Sequence, residues 1–294
     1  MSFTEDRKAL GAGRWFDANP QRLKAQVESF FRQADEELAP RLAELGTTRA
    51  VGVIAPHAGY DYSGAVAACS LAALRANAAA TGGAPDVVVV VGFAHSESFA
   101  GAAVLDARSL ATPLGRAPIA VDVARAMCAM PEGRGLLRAR WGPHRGEHSA
   151  ENEVPFVQAA FPGAALVVVL LGEHRAATVD AVAAVLQRVR EMHPRLYVVA
   201  SSDMLHDSDW DAVRRGDAAT LRLVARPADH ALVRRAWSPD HQVFCGIGPV
   251  LVLMRTAELA GATHGIVLHY ENSGDRDPAS RHDWVVGYSS VIFL

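Results

Sequence analysis

The chain has 294 residues, of which 50% are hydrophobic and 21% are charged, with a formal net charge of -3. This composition is sufficient for a large apolar core, and it lacks the basic bias of proteins that bind nucleic acid or anionic membranes. No apolar run reaches the roughly 18 residues of a membrane span, and the N-terminus lacks a signal-peptide pattern. We therefore expect a cytoplasmic protein with no nucleic-acid or membrane partner. Three cysteines, an odd and sparse number, argue against a disulfide scaffold.

The first part of the chain combines helical patterns with short apolar runs. Residues 20–38 carry apolar side chains at helical spacing, whereas residues 50–55 form a run typical of a buried strand. An Ala-rich helix is predicted over residues 64–77. Residues 86–92 give the strongest strand pattern in the chain, because five consecutive valines lie within them. We expect this strand to be buried on both faces and central in a sheet.

The second part of the chain repeats this alternation. The predicted elements are strands over 164–171, 196–201, 265–270 and 283–293, and helices over 177–192, 211–225 and 249–260. Strands that alternate with helices predict an α/β fold with a central, mostly parallel or mixed β-sheet and helices on both faces. No repeat, low-complexity tract or linker composition interrupts the pattern. Residues 1–294 are therefore predicted to form a single domain.

Polar side chains follow three of the predicted strands at the points where these strands end. His57 follows the strand over 50–55, His95 follows the valine-rich strand, and Asp203 and His206 follow the strand over 196–201. In open α/β sheets, functional groups gather beyond the carboxyl ends of the strands. A lone histidine is more often a core residue than a ligand, but three at strand ends favour a shared site. Asp203 and His206 are further predicted to work as a carboxylate–imidazole pair in acid/base chemistry or in support of a ligand.

Cys245 lies in the segment F-C-G-I-G-P, whose glycines and proline indicate a turn that enters a helix. The positive end of a helix stabilises a thiolate, which is the metal-binding and nucleophilic form of cysteine. A buried, inert cysteine is an equal alternative on this feature alone. Cys69 and Cys128 lie in Ala-rich helical patterns and are predicted to be core residues.

The segment G-E-H-S-A-E-N-E precedes a predicted helix. Ser149 is predicted to cap that helix, and Glu151 is predicted to be an acid of its first turn. Neither role explains Glu147 and His148, which we expect to orient a ligand from outside its coordination sphere. The other histidines lack such a context and are predicted to be surface or structural residues: His144, His174, His193, His230, His241, His264, His269 and His282.

Several of these motifs occur in one fixed order. They are A-G-R-W-F (12–16), A-P-H-A-G-Y-D-Y-S-G (55–64), G-F-A-H (92–95), T-P-L-G (112–115), G-E-H-S (146–149), S-S-D-M-L-H (201–206), C-G-I-G-P (245–249), Y-E-N-S-G-D (270–275) and V-V-G-Y (285–288). This ordered set resembles the Memo family, which includes the prokaryotic proteins called AmmeMemoRadiSam system protein B. The resemblance covers nearly the whole chain. It implies a fold related to the class III extradiol dioxygenases, which are non-haem iron enzymes.

The resemblance also implies a mononuclear metal site. The residues that match the family's metal ligands are His57, His95 and Cys245, and Asp203 and His206 match residues close to the metal. Residues outside the ligand set are predicted to support the ligands. They are Glu147 with His148, and Tyr60 of the P-H-A-G-Y motif. The family name further suggests a functional link to a radical-SAM protein and an AMMECR1-like protein.

Three functions remain open at this point. The first is a metal-dependent redox or dioxygenase-like enzyme, with iron(II) as the expected ion, His206 as the acid/base and Asp203 as the group that positions it. The second is an adaptor that holds a small anion or phosphopeptide in the same pocket. The third is a zinc-dependent hydrolase, because zinc accepts two histidines and one cysteine and activates water. Affinity order alone does not choose among iron, copper and zinc, and the small-molecule or peptide ligand is unknown.

Overall fold

The computed structural model describes residues 3–238 and 240–294, except for the side chains of Leu42 and His282. The strands within these residues are β1 (Asp6–Lys8), β2 (Gly52–Ala55), β3 (Val87–Phe93), β4 (Ala102–Val104), β5 (Ser109–Thr112), β6 (Gly115–Pro118), β7 (Leu137–Ala139), β8 (Ala165–Leu171), β9 (Tyr197–Ser201), β10 (His206–Asp207), β11 (Gly265–Asn272) and β12 (Val285–Phe293). Among the same residues, no helix combines the length and apolar character that a membrane span requires.

The main sheet is mixed and has a parallel centre. Its order is β10-β12-β2-β9-β3-β8-β4-β7, and β11 pairs with β12. Strands β2, β9, β3 and β8 run parallel, so their carboxyl ends share one edge of the sheet. Strand β12 pairs with β2 on one side of this centre, and β4 pairs with β8 on the other side. Both pairings are antiparallel. A separate small sheet has the order β1-β5-β6.

Helices cover both faces of the main sheet. They are α1 (Pro20–Leu38), α2 (Tyr60–Ala80), α3 (Val121–Ala129), α4 (Val154–Ala160), α5 (Ala176–Met192), α6 (Trp210–Val224), α7 (His230–Ala236), α8 (Ile247–Leu259) and α9 (Ser273–Arg276). One apolar core contains buried residues of α1, α2 and α4. A second core, on the opposite face, contains buried residues of α3, α5 and α8. This arrangement confirms the α/β prediction with helices on both faces.

The valine-rich strand has the central position that its composition predicts. Val88 and Val90 of β3 pack into one core, whereas Val87, Val89 and Val91 pack into the other. Since successive side chains of a strand point to opposite faces, an all-valine strand fits only between two apolar layers. Strand β3 pairs with β8 and β9, which places its carboxyl end in the middle of the sheet edge.

Most predicted elements are present with small shifts at their ends. Helix α1 has its predicted bounds, since Asn19 caps it by accepting a hydrogen bond from the N–H of Arg22, and Pro20 is its first residue. Helix α2 extends beyond the predicted 64–77 at both ends. Within it, Gly64 lies against the Phe30 ring, where a Cβ atom would lie 2.5 Å from a ring carbon.

The region between β3 and β8 contains structure that the sequence patterns did not predict. Strands β4 to β7 and a turn of 3-10 helix over Glu151–Glu153 form there. Helix α3 also lies in this region and agrees with the Ala-rich helical pattern predicted around Cys128. The predicted role of Ser149 as a helix cap is wrong, because no side chain caps this 3-10 turn or α4. The Ser149 hydroxyl instead donates to the carbonyl of Phe93 and accepts from its N–H, at 2.9 and 3.1 Å. This pair of bonds fastens the loop before α4 to the end of β3.

Candidate metal centre

The predicted site residues converge at the carboxyl edge of the parallel strands. His57 follows β2, His95 follows β3, and Asp203 follows β9. The loop between β7 and α4 supplies His148, and Cys245 lies just before α8, whose N-cap is Gly246. The turn into α8 that the glycines and proline predict is confirmed. The strand order therefore assembles groups that are far apart in the sequence.

Three imidazoles form the centre of this cluster. One ring nitrogen from each of His57, His95 and His148 lies within 4.8 Å of the others. The ring centroids are 5.2 Å apart for His57 and His95, 5.4 Å for His95 and His148, and 5.6 Å for His57 and His148. The Sγ atom of Cys245 lies 3.1 Å from Nε2 of His95. His148, predicted to support the ligands from outside, thus lies within the imidazole group itself.

Hydrogen bonds on the outer side of two rings fix their orientation. Nδ1 of His57 lies 3.0 Å from Oγ of Ser201, and Nδ1 of His95 lies 3.1 Å from Oε1 of Glu147. In both rings, the Nε2 atom is left to face the cluster. Metal-bound histidines usually have such a partner on the second nitrogen.

Glu147 connects the two segments that carry His95 and His148. Its carboxylate accepts hydrogen bonds from the N–H of His95 at 2.7 Å, of His148 at 2.9 Å and of Ser149 at 2.8 Å. Burial would raise the pKa of Glu147, but His95 and these N–H groups outweigh it and hold the pKa far below its usual range. Glu147 therefore holds the His95 and His148 segments together through four hydrogen bonds.

Burial controls the charge of the imidazoles. It lowers the pKa of His57 to about 3, with a further contribution from His95, and it lowers the pKa of His148 to about 4, with a further contribution from His57. Burial also acts to lower the pKa of His95, but Cys245 and Glu147 outweigh it and raise the pKa to about 10. Without a metal ion, these two neighbours therefore favour the protonated form of the His95 ring.

The Asp203 carboxylate supports the His57 loop. It is buried and accepts hydrogen bonds from the N–H groups of His57, at 2.8 Å, and Ala58, at 3.2 Å. Its Oδ2 atom lies 3.9 Å from Nε2 of His57. Burial raises the pKa of Asp203. These hydrogen bonds therefore position His57. Asp203 was predicted to position His206, but among the described residues it has no hydrogen bond with His206.

His206 is half-buried in β10, and its Nε2 atom is buried without a hydrogen-bond partner among the described residues. Burial lowers the pKa of His206. The ring lies edge-on to Trp284, with a centroid distance of 6.4 Å. A neutral imidazole with a free nitrogen is suited to accept a proton from a substrate.

Tyr60 reaches the centre through one intermediate residue. It is the first residue of α2 and is buried, and its hydroxyl donates to the carbonyl of Asn152 at 2.7 Å. The Asn152 amide in turn donates to the carbonyl of His57 at 2.6 Å. The predicted location of Tyr60 beside the centre thus corresponds to a two-bond connection to the His57 backbone.

Sequence reasoning missed several residues around the centre. Trp15 stacks on His148, with ring centroids 4.4 Å apart and planes 6° from parallel. Arg7 donates to the carbonyls of His144 and Glu147, both at 2.9 Å, and pairs with the buried carboxylate of Glu151. The A-G-R-W-F motif contained a signal for Trp15, but nothing in the local sequence of the three-residue strand β1 pointed to Arg7.

The histidines predicted to be structural or on the surface include one that is deeply buried. Nε2 of His144 lies 3.1 Å from the carbonyl of Ala103, and burial lowers the pKa of His144 to about 3. The side chain of His282 lies outside the described residues. His174 is not one of the described imidazoles whose ligand atoms lie within 4.8 Å of one another, and its ring centroid is 5.9 Å from that of Phe93.

The donor set fits a bound metal ion. Neutral imidazole and thiolate are the forms that bind metals, and two of the three imidazoles are neutral at pH 7. Nitrogen and sulfur ligands in this combination suit iron, copper or zinc. One ring nitrogen from each of the three histidines lies within reach of a common position, since these atoms are within 4.8 Å of one another. These residues could therefore hold a single transition-metal ion.

Comparisons with known proteins relate the whole chain to one family. The family profile described as Memo-like protein matches residues 7–292. A MEMO1 family protein of Pyrobaculum aerophilum is 30% identical over 288 residues, which cover 98% of each chain. A MEMO1 family protein of Methanothermobacter thermautotrophicus is 31% identical over 290 residues, which cover 97% of this chain and 99% of that one.

Among solved structures, the chain is similar to an uncharacterized protein of Escherichia coli K12. The TM-score is 0.48 and the sequence identity is 15%, over 71% of this chain and 86% of that chain. The profile match and the near-complete coverage by relatives confirm the resemblance seen in the ordered motifs. The chain belongs to the Memo family.

Proposed function

We propose that this chain is a metal-dependent redox enzyme with one iron(II) ion, held by His57, His95 and Cys245 with His148 beside them. The observation that carries the proposal is the convergence of three imidazole nitrogens within 4.8 Å, next to a thiol 3.1 Å from one of them. Nitrogen and sulfur atoms brought this close together form the kind of donor set that a transition-metal ion requires.

Access to the centre supports a catalytic rather than a purely structural ion. The side chains of His95 and His148 are 27% and 23% exposed, and Cys245 is half-buried. Structural metal sites have all ligand positions filled by the protein, whereas catalytic sites keep an open position. The partly exposed side of the cluster is where a small-molecule substrate would approach.

The bound ion would supply redox chemistry and polarise a substrate atom. The protein supplies the proton transfers and the orientation. His206 is the proposed acid/base, because its Nε2 atom is buried, unpartnered among the described residues and neutral by virtue of its lowered pKa. Asp203 holds the His57 backbone in place through two N–H groups.

Elemental analysis of anaerobically purified protein tests the metal centre. We expect one equivalent of iron in the wild type and its loss in His57→Ala and Cys245→Ala. Matched controls are His264→Ala, which removes an exposed histidine, and Cys128→Ala, which removes a half-buried cysteine of α3. Both controls should keep the ion. Absence of any bound metal after reconstitution would refute the metal centre and would favour the adaptor function.

Metal identity separates redox chemistry from hydrolysis. Stoichiometric zinc in anaerobic preparations would favour the hydrolase, since zinc has no redox chemistry and activates bound water. Stoichiometric iron directs the search to substrates whose turnover consumes an oxidant such as oxygen.

The role of His206 is tested by its replacement with alanine. We expect His206→Ala to keep the wild-type iron content and to lose substrate-dependent oxygen uptake, because the proposed role concerns a proton and not the ion. His264→Ala again serves as the control. Oxygen uptake at the wild-type rate in His206→Ala would count against the acid/base role.

A further inference from the structure

The Ser201 hydroxyl lies between three polar groups. Its Oγ atom is 2.6 Å from the carbonyl oxygen of Ser149, 2.9 Å from Oε1 of Glu153 and 3.0 Å from Nδ1 of His57. All four residues involved are buried, so water does not compete for these contacts. A hydroxyl group has one proton to donate and two lone pairs to accept with. The three contacts therefore restrict where the protons can be.

The carbonyl of Ser149 can only accept, and its contact with Ser201 is the shortest of the three. An oxygen–oxygen contact of this length without a proton would be repulsive, so the Ser201 proton points to Ser149. Both remaining partners of Ser201 must then donate. This requirement places a proton on Nδ1 of His57 and another on the carboxyl group of Glu153.

The surroundings of Glu153 agree with a neutral carboxyl group. Its side chain is fully buried, and its Oε2 atom has no hydrogen-bond partner among the described residues. No ion pair involves Glu153 within residues 3–238 and 240–294. An unpaired buried carboxylate is strongly disfavoured relative to its protonated form. Burial also raises the pKa of Glu153 well above its ordinary value.

We propose that Glu153 is a positioning residue that acts as a neutral hydrogen-bond donor and, through Ser201, fixes the proton of His57 on Nδ1. The Nε2 lone pair of His57 is then directed to the imidazole cluster, which is the form needed to bind a metal ion. The hydrogen bond of Glu153 that the described residues show is with Ser201 and not with an imidazole of the cluster. Its effect passes through one hydroxyl group.

The proposed role of Glu153 rests on the proposed metal centre, but its test does not require a metal. Two-bond proton–nitrogen correlation spectra of the metal-free protein, with 15N-labelled histidine, report which ring nitrogen of His57 carries the proton. We expect a proton on Nδ1 in the wild type. A proton on Nε2 would overturn the inference and would leave the metal proposal to stand on its own experiment.

Substitutions can show whether the carboxyl group of Glu153 is neutral or ionised. The Glu153→Gln side chain can still donate a hydrogen bond to Ser201, so this variant should keep the His57 tautomer. Its zinc affinity should stay within about threefold of the wild type. Ser201→Ala removes the connecting hydroxyl and should bind zinc about 10- to 100-fold more weakly. Zinc serves as a redox-inert probe. Ser70→Ala is a matched control, because it removes another buried hydroxyl that contacts Ile54 and Ser290 instead of His57.

A second carboxylate provides the contrasting case. Glu151 forms a buried ion pair with Arg7, so Glu151→Gln should unfold at lower urea concentration than the wild type, whereas Glu153→Gln should not. If Glu153→Gln loses zinc affinity as strongly as Ser201→Ala, or moves the His57 proton to Nε2, the neutral-donor role is refuted. If wild-type protein binds neither zinc nor iron, only the metal proposal fails, and the spectra still decide the tautomer.

Discussion

Asp217 of α6 should make the folded chain less stable as the pH rises from acidic to neutral. Its side chain is buried, and its two oxygens accept from the N–H of Leu205 at 3.1 Å and from the hydroxyl of Tyr270 at 2.9 Å. Burial raises the pKa of Asp217 to about 7 from its ordinary 3.8, against a smaller opposing effect of the two hydrogen bonds.

The direction of this change in stability depends on whether the folded or the unfolded chain holds the Asp217 proton more tightly. Below about pH 4, the carboxyl group is protonated in both the folded and the unfolded chain, so its contribution to stability is fully present. Between pH 3.8 and about 7, the folded chain keeps a proton that the unfolded chain releases. The free energy of unfolding therefore falls through this window. The total loss is about 4 kcal/mol, at about 1.4 kcal/mol for each tenfold difference in proton affinity.

Asp217→Asn removes this dependence, because asparagine resembles the neutral carboxylic acid in shape and does not ionise. We expect the free energy of unfolding of Asp217→Asn, relative to the wild type, to rise by about 3–4 kcal/mol between about pH 4 and about pH 8. Urea denaturation at several pH values measures this difference. The protonation of other side chains affects both proteins equally, so it cancels when the two free energies are subtracted. Asp283→Asn, at an exposed position, is the matched control and should show a flat difference.

A flat difference between Asp217→Asn and the wild type would refute the reasoning, because it would mean that the buried carboxyl group ionises as readily as in water. A difference of the opposite sign, with Asp217→Asn losing stability toward neutral pH, would mean that the charged form is the stabilised one. Either outcome would require a cation or ordered water at Asp217 to outweigh its burial.

Three further changes should have distinct effects. Gly287→Ala should lower the free energy of unfolding by about 3 kcal/mol in urea, because its Cβ would lie 1.8 Å from an oxygen of Asp217; a wild-type urea midpoint would contradict this packing. Arg7→Ala should cost about 3–5 kcal/mol in the same assay, since it leaves the Glu151 carboxylate buried and unpaired, and a cost below about 1 kcal/mol would argue against the buried pair. Trp15→Phe should bind zinc at wild-type stoichiometry but lose most of the change in tryptophan fluorescence, because the Trp15 ring stacks on an imidazole of the centre; an unchanged signal would exclude Trp15 as its source.

The elements that sequence patterns predicted well carry a clear arrangement of apolar residues within the segment itself, either continuous, as in β3, or at helical spacing, as in α1. The valine-rich strand β3 lies between two cores, so every residue in it is apolar and the pattern is unambiguous. Strand β1 is different, because Asp6–Lys8 is three residues long and pairs with residues of β5 that lie far away in the sequence. Nothing in the local sequence distinguishes such a strand from a loop.

The candidate site was predictable to the extent that it depends on strand ends. His57 and His95 follow parallel strands, and the shared edge of those strands brings them together without knowledge of any side-chain contact. The contribution of Glu153 was not predictable, because a buried glutamate is recognised only from its tertiary neighbours. Ser149 shows the same limit, since its hydroxyl bonds to the backbone of Phe93 and not to the helix that follows it.

The four candidate ligands are spread along the chain from position 57 to position 245, and only the folded sheet with its loops brings them together. An unfolded chain keeps these groups far apart, so it has no comparable affinity for an ion. By mass action, an ion at a hundredfold excess over its dissociation constant would then add about 2.7 kcal/mol to the free energy of unfolding. The melting temperature thus becomes a measure of metal affinity, and candidate ions can be ranked by thermal shift before any substrate is known.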